Sequence, residues 1–374
     1  MIVKNEEKDI KRCLESVIPY IDYWVISDTG STDKTKEVIQ QLMDKHGVPG
    51  ELHDHKWEDF STNRNYALEL SRPHADYIWF MDADDNFVPN GSDPFSDLSD
   101  EYDMYHMNYT IDDGIFFNRA CIIKSDAEFE FYGAMHEVLG LKGGEVYPGD
   151  KRALLAGAGH IVARASPLKR NKTEKEKYLN DAAILEKDLE KNPLNYRSMF
   201  YLGQSYQLAG ELLQAIDAYA LRAMFPGEGN GDEVFLALYE IAKMKIALRF
   251  PEEECIDSCV RAWECDASRI EPIALAMQYL YQRSRVGYAL ALGMMASKTV
   301  NPKPGAAKLD STIYDYKFPQ IYAVCMFSSG QRDKAIQSIK ALIDSYNGDP
   351  SKEEAIGVLT ETLETFKERA ESYE

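Results

Sequence analysis

Three aspartates follow a buried apolar run in the segment YIWFMDADDNFVP, residues 77–89. Five apolar residues come first, and Asp82, Asp84 and Asp85 lie within the next four positions. Carboxylates this close repel one another, and removing them from water costs free energy unless something compensates the charge. Side chains of this type and spacing could hold a divalent cation, because Mg²⁺ and Mn²⁺ prefer oxygen ligands and often take only one or two from the protein.

The residues around these aspartates allow more than one interpretation. A calcium loop of the EF-hand type needs glycine at its position 6 and glutamate at its position 12. This sequence has Phe87 and Asp93 there, so that interpretation fails. A solvated turn without a function would also favour aspartate and asparagine. A cation held between these carboxylates and the diphosphate of a substrate would suit two aspartates one residue apart at a strand end. The turn and the cation site both stay open.

Strand and helix patterns alternate through the first 165 residues. Apolar runs predict short strands at residues 1–3, 23–28, 50–57 and 77–81, with helical spacing of apolar residues between them. Alternation of this kind implies a mostly parallel sheet with helices on both faces. Ligands of such sheets bind at the carboxyl ends of the strands. Asp28, at the end of the second run, and the aspartates after the fourth both lie at such ends.

The pattern changes near residues 166–167, where long helical patterns replace strand-like runs. The segment FYLGQSYQLAGELLQAIDAYALRAMFP, residues 200–226, has small and large residues at the positions of a tetratricopeptide-type helical hairpin. Less regular copies of this residue spacing follow near Cys255 and Gly330, so we predict an array of helical hairpins rather than regular repeats. Cys255 and Cys259 fall on small, buried positions of this array, which favours core residues over a metal site.

The composition argues against several classes of function. The 374 residues include 42 lysines and arginines against 62 aspartates and glutamates, a formal net charge of −20. This charge argues against a general affinity for nucleic acid or anionic membranes. With no N-terminal targeting pattern and no long apolar run, we expect a soluble, cytoplasmic protein whose six cysteines are reduced. The GxxxxGKS/T, GxGxxG and GxSxG motifs are also absent from the sequence.

Four stretches of the first 90 residues resemble, in this order, a family 2 glycosyltransferase of GT-A fold: MIVKNEEKDIKRCLESV, WVISDTGSTDKTKEVI, STNRNYALELS and YIWFMDADD. The resemblance implies an enzyme that binds a nucleotide sugar together with Mn²⁺ or Mg²⁺. Asp82 and Asp84 correspond to the D-x-D signature, which in that family holds the metal and the ribose–diphosphate. By position, Asp84 corresponds to the principal metal ligand.

In that family the nucleotide-sugar site is built from the ends of the first, second and fourth strands. The resemblance therefore implies that Lys4 and Glu6 contact the donor and that Asp28 contacts its nucleobase and ribose. Thr29 departs from the family, which commonly has a second aspartate at this position. The nucleobase usually expected in the family is uracil, so the expected donor is a UDP-sugar. Arg64 corresponds to a position that faces the nucleotide. The structural alternatives are a turn in which Ser31, Thr32 or Asp33 caps the next helix, and a surface position for Arg64.

The segment FYGAMHEVLG, residues 131–140, places His136 and Glu137 where related bacterial sugar transferases have a comparable pair at the acceptor side. An inverting transfer needs a carboxylate that takes the acceptor's proton as the acceptor attacks the anomeric carbon. The resemblance implies Glu137 as this base and His136 as a contact to the diphosphate or acceptor. It also implies His160, in AGAGHIVA, as a further metal ligand. The alternatives are an exposed glutamate and a structural histidine.

Together these observations predict an α/β GT-A domain over residues 1–165 and an all-α, TPR-like array of helical hairpins over residues 166–374. We expect transfer to a hydroxyl or thiol of a glycan, peptide or protein acceptor. The helical array would hold this acceptor or form a homo-oligomer. The first strand is almost absent at Met1, so we expect the native chain to start upstream. The rival hypothesis is a non-catalytic scaffold with a degenerate transferase domain. A pyrophosphorylase would need a Gly-rich basic loop, which MIVKNEEK lacks.

Overall fold

The computed structural model describes residues 1–91, 93–111, 116–135, 137–142, 151–163, 173–228, 231–298 and 309–371. The chain divides into two compact units, Met1–Pro193 and Leu194–Glu374. In their described parts, the first unit combines sheets with helices and the second is built from helices. The predicted domain boundary, between residues 165 and 166, lies outside the described residues.

Strands and helices alternate at the start of the first unit, as the sequence predicts. The described strands are β1 (Ile2–Val3), β2 (Trp24–Asp28), β3 (Gly50–Asp54), β4 (Tyr77–Trp79), β5 (Asn86–Pro89), β6 (Met104–Ile111), β7 (Phe116–Lys124), β8 (Phe129–Tyr132), β9 (Val138–Leu141), β10 (Arg152–Leu154) and β11 (Gly159–Ala163). The described helices are α1 (Ile10–Val17), α2 (Thr35–His46), α3 (Phe60–Ser71) and α4 (Glu174–Lys191). The four predicted strands and the helices between them are confirmed.

β1, β2 and β3 form a parallel sheet in this order. The register aligns Val3 with Asp28 and Asp28 with Asp54, so all three strands end at the same edge. α1 and α2 contribute apolar side chains to one core cluster with the sheet, which includes Ile26 of β2 and Ile39 of α2. This packing brings the polar segments that follow the strands together at one edge.

A second sheet has the order β4-β7-β6-β11-β5, with β10 paired to β6. This sheet is mixed, because β11 runs parallel to β6 whereas β4 and β6 are both antiparallel to β7. A parallel pair needs a crossover of about a dozen residues or more, and only four residues separate β6 from β7. β8 and β9 form an antiparallel hairpin. The predicted α/β class is therefore confirmed, but the expectation of a mostly parallel sheet is wrong for the second sheet, where β4 pairs antiparallel with β7.

The second unit contains nine helices in its described part. They are α5 (Tyr196–Leu208), α6 (Leu212–Ala223), α7 (Gly231–Ala247), α8 (Glu252–Cys265), α9 (Glu271–Gln282), α10 (Val286–Ala296), α11 (Phe318–Ser328), α12 (Arg332–Tyr346) and α13 (Glu353–Glu371). A π-helical turn, Ile313–Lys317, leads directly into α11. Consecutive helices pair as α5–α6, α7–α8, α9–α10 and α11–α12. The predicted array of helical hairpins is confirmed.

The four hairpins share one turn geometry. Each first helix is followed by a residue of positive φ, namely Gly210, Arg249, Ser284 or Gly330. In every case the residue after this turn residue donates its N–H to the carbonyl of the residue five positions before the donor. This is the hydrogen bond of a Schellman motif. Only two of the four turn residues are glycine. The sequence signal is therefore clear for the first and last hairpins and weak for the middle two.

Small residues allow the paired helices to approach closely. Ala215, Cys255, Ala289 and Ala335, five or six positions after the turn residues, are all fully buried. Cys259 is fully buried as well, so the interpretation of both predicted cysteines as core residues is confirmed. Among the described residues, every helix is too short or too polar to cross a membrane.

Candidate active site

Asp82, shortly after β4, is held by two arginines from different elements. Its Oδ1 accepts a hydrogen bond from Nη2 of Arg64 on α3 at 2.5 Å, and its Oδ2 accepts one from Nη1 of Arg119 on β7 at 2.7 Å. Burial raises the pKa of Asp82, but the two guanidinium groups outweigh burial and hold that pKa well below its usual range. Asp82 is therefore ionised at physiological pH.

Glu137 joins the same cluster although it is far from Asp82 in sequence. Nε of Arg64 donates to Oε1 of Glu137 at 2.6 Å, and Nη2 of Arg119 lies 3.9 Å from the same oxygen. The Glu137 side chain is 9% exposed. Each arginine thus lies beside both carboxylates, and two positive charges compensate two negative charges in a largely buried position. We call Asp82, Arg64, Glu137 and Arg119 the ionic network.

Arg64 is positioned by its neighbours in the motif Asn63–Arg64–Asn65. Asn63 is fully buried, and its Nδ2 lies 2.8 Å from Nδ1 of His55 in the loop before α3. Asn65 exchanges two hydrogen bonds with the backbone of Phe131 on β8, at 2.7 and 2.9 Å. Both asparagines fix α3 against its surroundings, so the Arg64 side chain enters the ionic network in a defined orientation.

The carboxyl end of β2 is a closely hydrogen-bonded turn. Oδ1 of Asp28 accepts the N–H groups of Gly30 at 2.9 Å and Ser31 at 2.8 Å. Oδ1 of Asn5, which follows β1, accepts the N–H of Thr32 at 2.8 Å. Asp28 is 1% exposed, and its Oδ2 has no hydrogen-bond partner among the described residues. Asp28 therefore shapes the turn that joins the ends of β1 and β2.

A cleft of about 490 Å³ opens where these segments meet. Three parts of the chain supply its described lining: Ile2, Val3, Lys4, Asn5, Glu6 and Thr29 from the ends of β1 and β2, Trp57, Phe60 and Arg64 from α3 and the loop before it, and Asp82, Ala83 and Asp84 after β4. Six residues selected from the sequence thus surround one cavity: Lys4, Glu6, Thr29, Arg64, Asp82 and Asp84. Charged and aromatic side chains share its wall, which suits a phosphorylated ligand that binds with a cation.

The first 102 residues match the family description "Glycosyl transferase family 2". This segment contains the turn at Asp28, the arginine of the ionic network on α3, and both D-x-D aspartates, Asp82 and Asp84. Residues 1–102 are a family 2 glycosyltransferase domain. The resemblance that the four sequence stretches indicated is confirmed.

Two relatives share parts of this chain. The prophage SPbeta-derived glycosyltransferase SunS of Bacillus subtilis is 26% identical over 145 residues, which are 37% of this chain and 33% of SunS. A TPR repeat-containing protein of Synechococcus elongatus is 34% identical over 88 residues, 24% of this chain and 20% of that protein. The chain therefore spans a third or less of the length of these relatives.

A solved structure is similar to part of this chain. The crystal structure of TarS from S. aureus matches with a TM-score of 0.35 and 14% identity, over 76% of this chain and 52% of the TarS chain. The chain combines a family 2 glycosyltransferase domain over residues 1–102 with an array of helical hairpins in its second unit.

The carboxylates after β4 of the glycosyltransferase domain fit a hard divalent cation. Asp82 and Asp84 line the cleft with carboxylates, the ligands that Mg²⁺ and Mn²⁺ prefer. Each oxygen of Asp82 accepts one arginine hydrogen bond and keeps a second acceptor site for a cation. Asp85 is 4% exposed, and its Oδ2 has no hydrogen-bond partner among the described residues. Burial, together with the charges of Asp82 and Asp84, raises the pKa of Asp85 to about 7. A nearby cation would relieve this excess of negative charge.

The structure places one of the two predicted histidines. His160 lies on β11, opposite Val88 of β5 and Asn108 of β6, and is not among the described residues that line the cleft. His136 lies outside the described residues. In the described part of the chain, no three His, Cys, Asp or Glu side chains are arranged to hold a metal ion by themselves. The metal role of His160 stays a prediction, and a bound cation would need ligands from the substrate.

Sequence reasoning missed Arg119 and Arg12. Arg119 is the arginine of the strand FFNRACIIK. An arginine within an otherwise apolar strand could have indicated a functional residue, because charged residues are seldom buried without a partner. Arg12, on α1, donates from Nη2 to the backbone carbonyl of Asp84 at 2.7 Å and from Nη1 to Oδ1 of Asp9 at 3.0 Å. Arg12 thus fixes the backbone of the D-x-D segment, a role that an arginine on a helix does not reveal in the sequence.

Proposed function

We propose that this chain is a metal-dependent, inverting glycosyltransferase that moves a sugar from a nucleotide-sugar donor, with a UDP-sugar expected, to a hydroxyl or thiol acceptor. The observation that carries the proposal is the cleft of the family 2 domain. It brings together the D-x-D aspartates, Asp82 and Asp84, and Arg64, which connects Asp82 to Glu137.

Lys4 and Arg64 would bind the diphosphate of the donor, because they bring positive charge to the cleft wall. Arg64 is held in place by its contacts with two carboxylates, so little side-chain freedom is lost when an anion approaches it. The divalent cation, held by Asp82 and Asp84, would act as a Lewis acid that stabilises the charge of the leaving diphosphate.

Glu137 would be the base of a single displacement. The acceptor oxygen or sulfur forms its bond to the anomeric carbon on the face opposite the diphosphate. The bond from that carbon to the phosphate oxygen breaks, and the acceptor's proton passes to the Glu137 carboxylate. The contact between Arg64 and Glu137 orients this carboxylate and ties it to Asp82, so one guanidinium sets the spacing between base and donor site.

The acceptor is proposed to be a glycan, peptide or protein, with the helical unit as the part that binds it. Four helical hairpins with the same turn geometry follow one another in this unit. Stacked hairpins of this kind present extended surfaces that suit an elongated partner. This role of the helical unit would be the same for an acceptor hydroxyl and for an acceptor thiol.

Thermal unfolding against a panel of nucleotide sugars and nucleoside diphosphates, with and without Mn²⁺ or Mg²⁺, tests the proposal. We expect one nucleotide family to raise the unfolding temperature only when the cation is present, because a ligand of the folded state stabilises that state. Asp84→Asn should abolish the rise. The matched control Asp44→Asn, at an exposed position on α2, should preserve it.

A rise of equal size without a cation would contradict the metal dependence. No rise with any donor, in folded wild-type protein with the cation present, would overturn the proposed activity. It would favour a scaffold whose helical array binds a partner.

A further inference from the structure

Two aromatic side chains, Trp57 and Phe60, form part of the cleft wall. Both are half-buried, and their rings pack edge to face with centroids 4.9 Å apart and planes at 86°. We call this pair the aromatic wall. It takes no part in the ionic network or in the proposed displacement. A partly exposed indole ring in a cleft lined by charged groups is a surface that a flat, uncharged part of a ligand could cover.

The loop that carries Trp57 is fixed before any ligand binds. Both neighbours of Trp57 are bonded to one fully buried side chain, that of Asn63. Oδ1 of Asn63 accepts the N–H of Glu58 at 3.0 Å, and Nδ2 donates to the carbonyl of Lys56 at 3.3 Å. A ring on such a loop needs little ordering when a ligand arrives, which favours binding.

The loop with the aromatic wall begins beside the end of β2. The N–H of His55, two residues before Trp57, donates to the carbonyl of Asp28 at 2.8 Å. Thr29, which follows Asp28 in the chain, lines the same cleft as Trp57. The ionic network lies toward the other end of the loop, where Arg64 follows on α3. A donor whose diphosphate contacts Arg64 would therefore place its nucleoside toward Thr29 and Trp57.

We propose that Trp57 is the platform on which the nucleobase of the donor stacks, with Phe60 supporting the indole ring edge to face. This inference rests on the proposed function and names the part of the nucleotide that the aromatic wall binds. The nucleobase is the flat, uncharged π-surface of a nucleotide sugar. The diphosphate and the sugar hydroxyl groups require charged or hydrogen-bonding partners instead. Stacking is tolerant of base identity, because every base has a π-face.

Isothermal titration calorimetry in Mg²⁺ tests the platform, with uridine diphosphate and pyrophosphate as probes. Pyrophosphate lacks the base, so it reports on the charged end of the cleft alone. We expect Trp57→Ala to weaken uridine diphosphate binding by about tenfold and to leave pyrophosphate binding unchanged. Trp57→Phe keeps an aromatic ring and should retain most of the affinity. Trp57→Leu, which is apolar but not aromatic, should behave like Trp57→Ala.

Tryptophan fluorescence gives a second readout, because a base stacked on an indole quenches its emission. The chain has four tryptophans, and Trp263 on α8 of the helical unit provides a matched control. Uridine diphosphate should quench part of the emission of the wild type and of Trp263→Phe. It should not quench the emission of Trp57→Phe, which still binds the nucleotide.

Equal affinity of the wild type and Trp57→Ala for uridine diphosphate would overturn the stacking platform and leave the proposed function standing. An equal loss of uridine diphosphate and pyrophosphate binding in Trp57→Ala would also overturn it, because the loop would then serve the diphosphate. A wild-type protein that binds neither probe in Mg²⁺ would overturn the proposed function and this inference with it.

Discussion

Each unit of the protein buries arginine against carboxylate, but the surroundings of the two clusters differ. The ionic network of the first unit borders the cleft, and 35% of the Arg119 side chain is exposed. In the helical unit, Arg269 and Glu271 form an ion pair whose side chains are 1% and 2% exposed. One cluster therefore meets a surface that a ligand can reach, and the other lies inside the fold.

The pair in the helical unit is closed by hydrogen bonds and packing. Nε and Nη2 of Arg269 donate to Oε1 of Glu271 at 3.0 and 2.7 Å, and the hydroxyl of Tyr314 donates to Oε2 at 2.6 Å. The ring of Phe235 lies 4.0 Å from the guanidinium carbon of Arg269. Both carboxylate oxygens are satisfied by the unit itself, so this pair joins α7, α9 and the π-helical turn.

The ionic network differs because its neighbour Asp85 is not satisfied. A buried oxygen of Asp85 has no hydrogen-bond partner among the described residues, and the pKa of that carboxyl is raised by burial and by Asp82 and Asp84. A buried arginine–carboxylate cluster thus points to function when it borders a cleft beside unsatisfied charge. A cluster with every oxygen paired internally is a structural contact. Three substitutions test this distinction.

Glu137→Gln should remove the reaction and preserve the donor site. Loss of a general base is expected to lower kcat about 10²- to 10⁴-fold. The affinity for a nucleoside diphosphate should stay nearly unchanged, because Arg64 and Asp82 remain in place. Steady-state kinetics and calorimetry measure the two quantities. Glu128→Gln, an exposed control, should leave both unchanged. Full activity of Glu137→Gln would exclude Glu137 as the base.

Glu271→Ala should have the opposite pattern, a loss of stability with an intact donor site. It leaves the charge of Arg269 buried without its carboxylate, and breaking a buried pair in this way costs about 3–5 kcal/mol in the free energy of unfolding. Denaturant unfolding measures this loss, and nucleotide binding is compared under native conditions. Glu264→Ala, at an exposed position on α8, is the control. If Glu271→Ala and Glu264→Ala were equally stable, the pair of Arg269 and Glu271 would not be a stabilising structural contact.

Asp85→Asn should stabilise the protein, with a dependence on pH that identifies the cause. The folded carboxyl keeps its proton up to about pH 7, whereas the carboxyl of the unfolded chain loses its proton near pH 4. This carboxyl therefore lowers the stability of the wild type as the pH rises from about 4 to 7, and the variant, which has no carboxyl at this position, lacks that contribution. The difference should be small at pH 4 and reach at most about 4 kcal/mol above pH 7.

Denaturant unfolding of Asp85→Asn and the wild type in metal-free buffer at several pH values measures this difference. Asp126→Asn, at an exposed position, should show no such trend. If Asp85→Asn changed the free energy of unfolding by the same amount at pH 4 and at pH 8, the charge of Asp85 would not be the cause of the change in stability.

The sequence predicted the elements of both units where local chemistry is distinctive. The apolar runs before Asp28 and Asp82 predict strands, and the small and large residues of segment 200–226 predict a helical hairpin. In the structure, Gly210 and Gly330 adopt positive φ at the turns of the first and last hairpins, as glycine does readily. The two middle hairpins have Arg249 and Ser284 at the equivalent positions. Their turns depend on tertiary packing that makes a left-handed conformation tolerable for these residues, so the sequence signal was weak there.

By itself, the sequence determined that Asp28 and the D-x-D aspartates follow strands, because a short apolar run that ends in polar residues marks the end of a buried strand. The tertiary structure alone decided that Arg64 and Arg119 meet Asp82 and Glu137. That meeting depends on the docking of α3 against β8 and on the shifted register between β6 and β7 beside Arg119. Contacts between residues so distant in the chain arise from the packing of whole elements, and no local pattern encodes them.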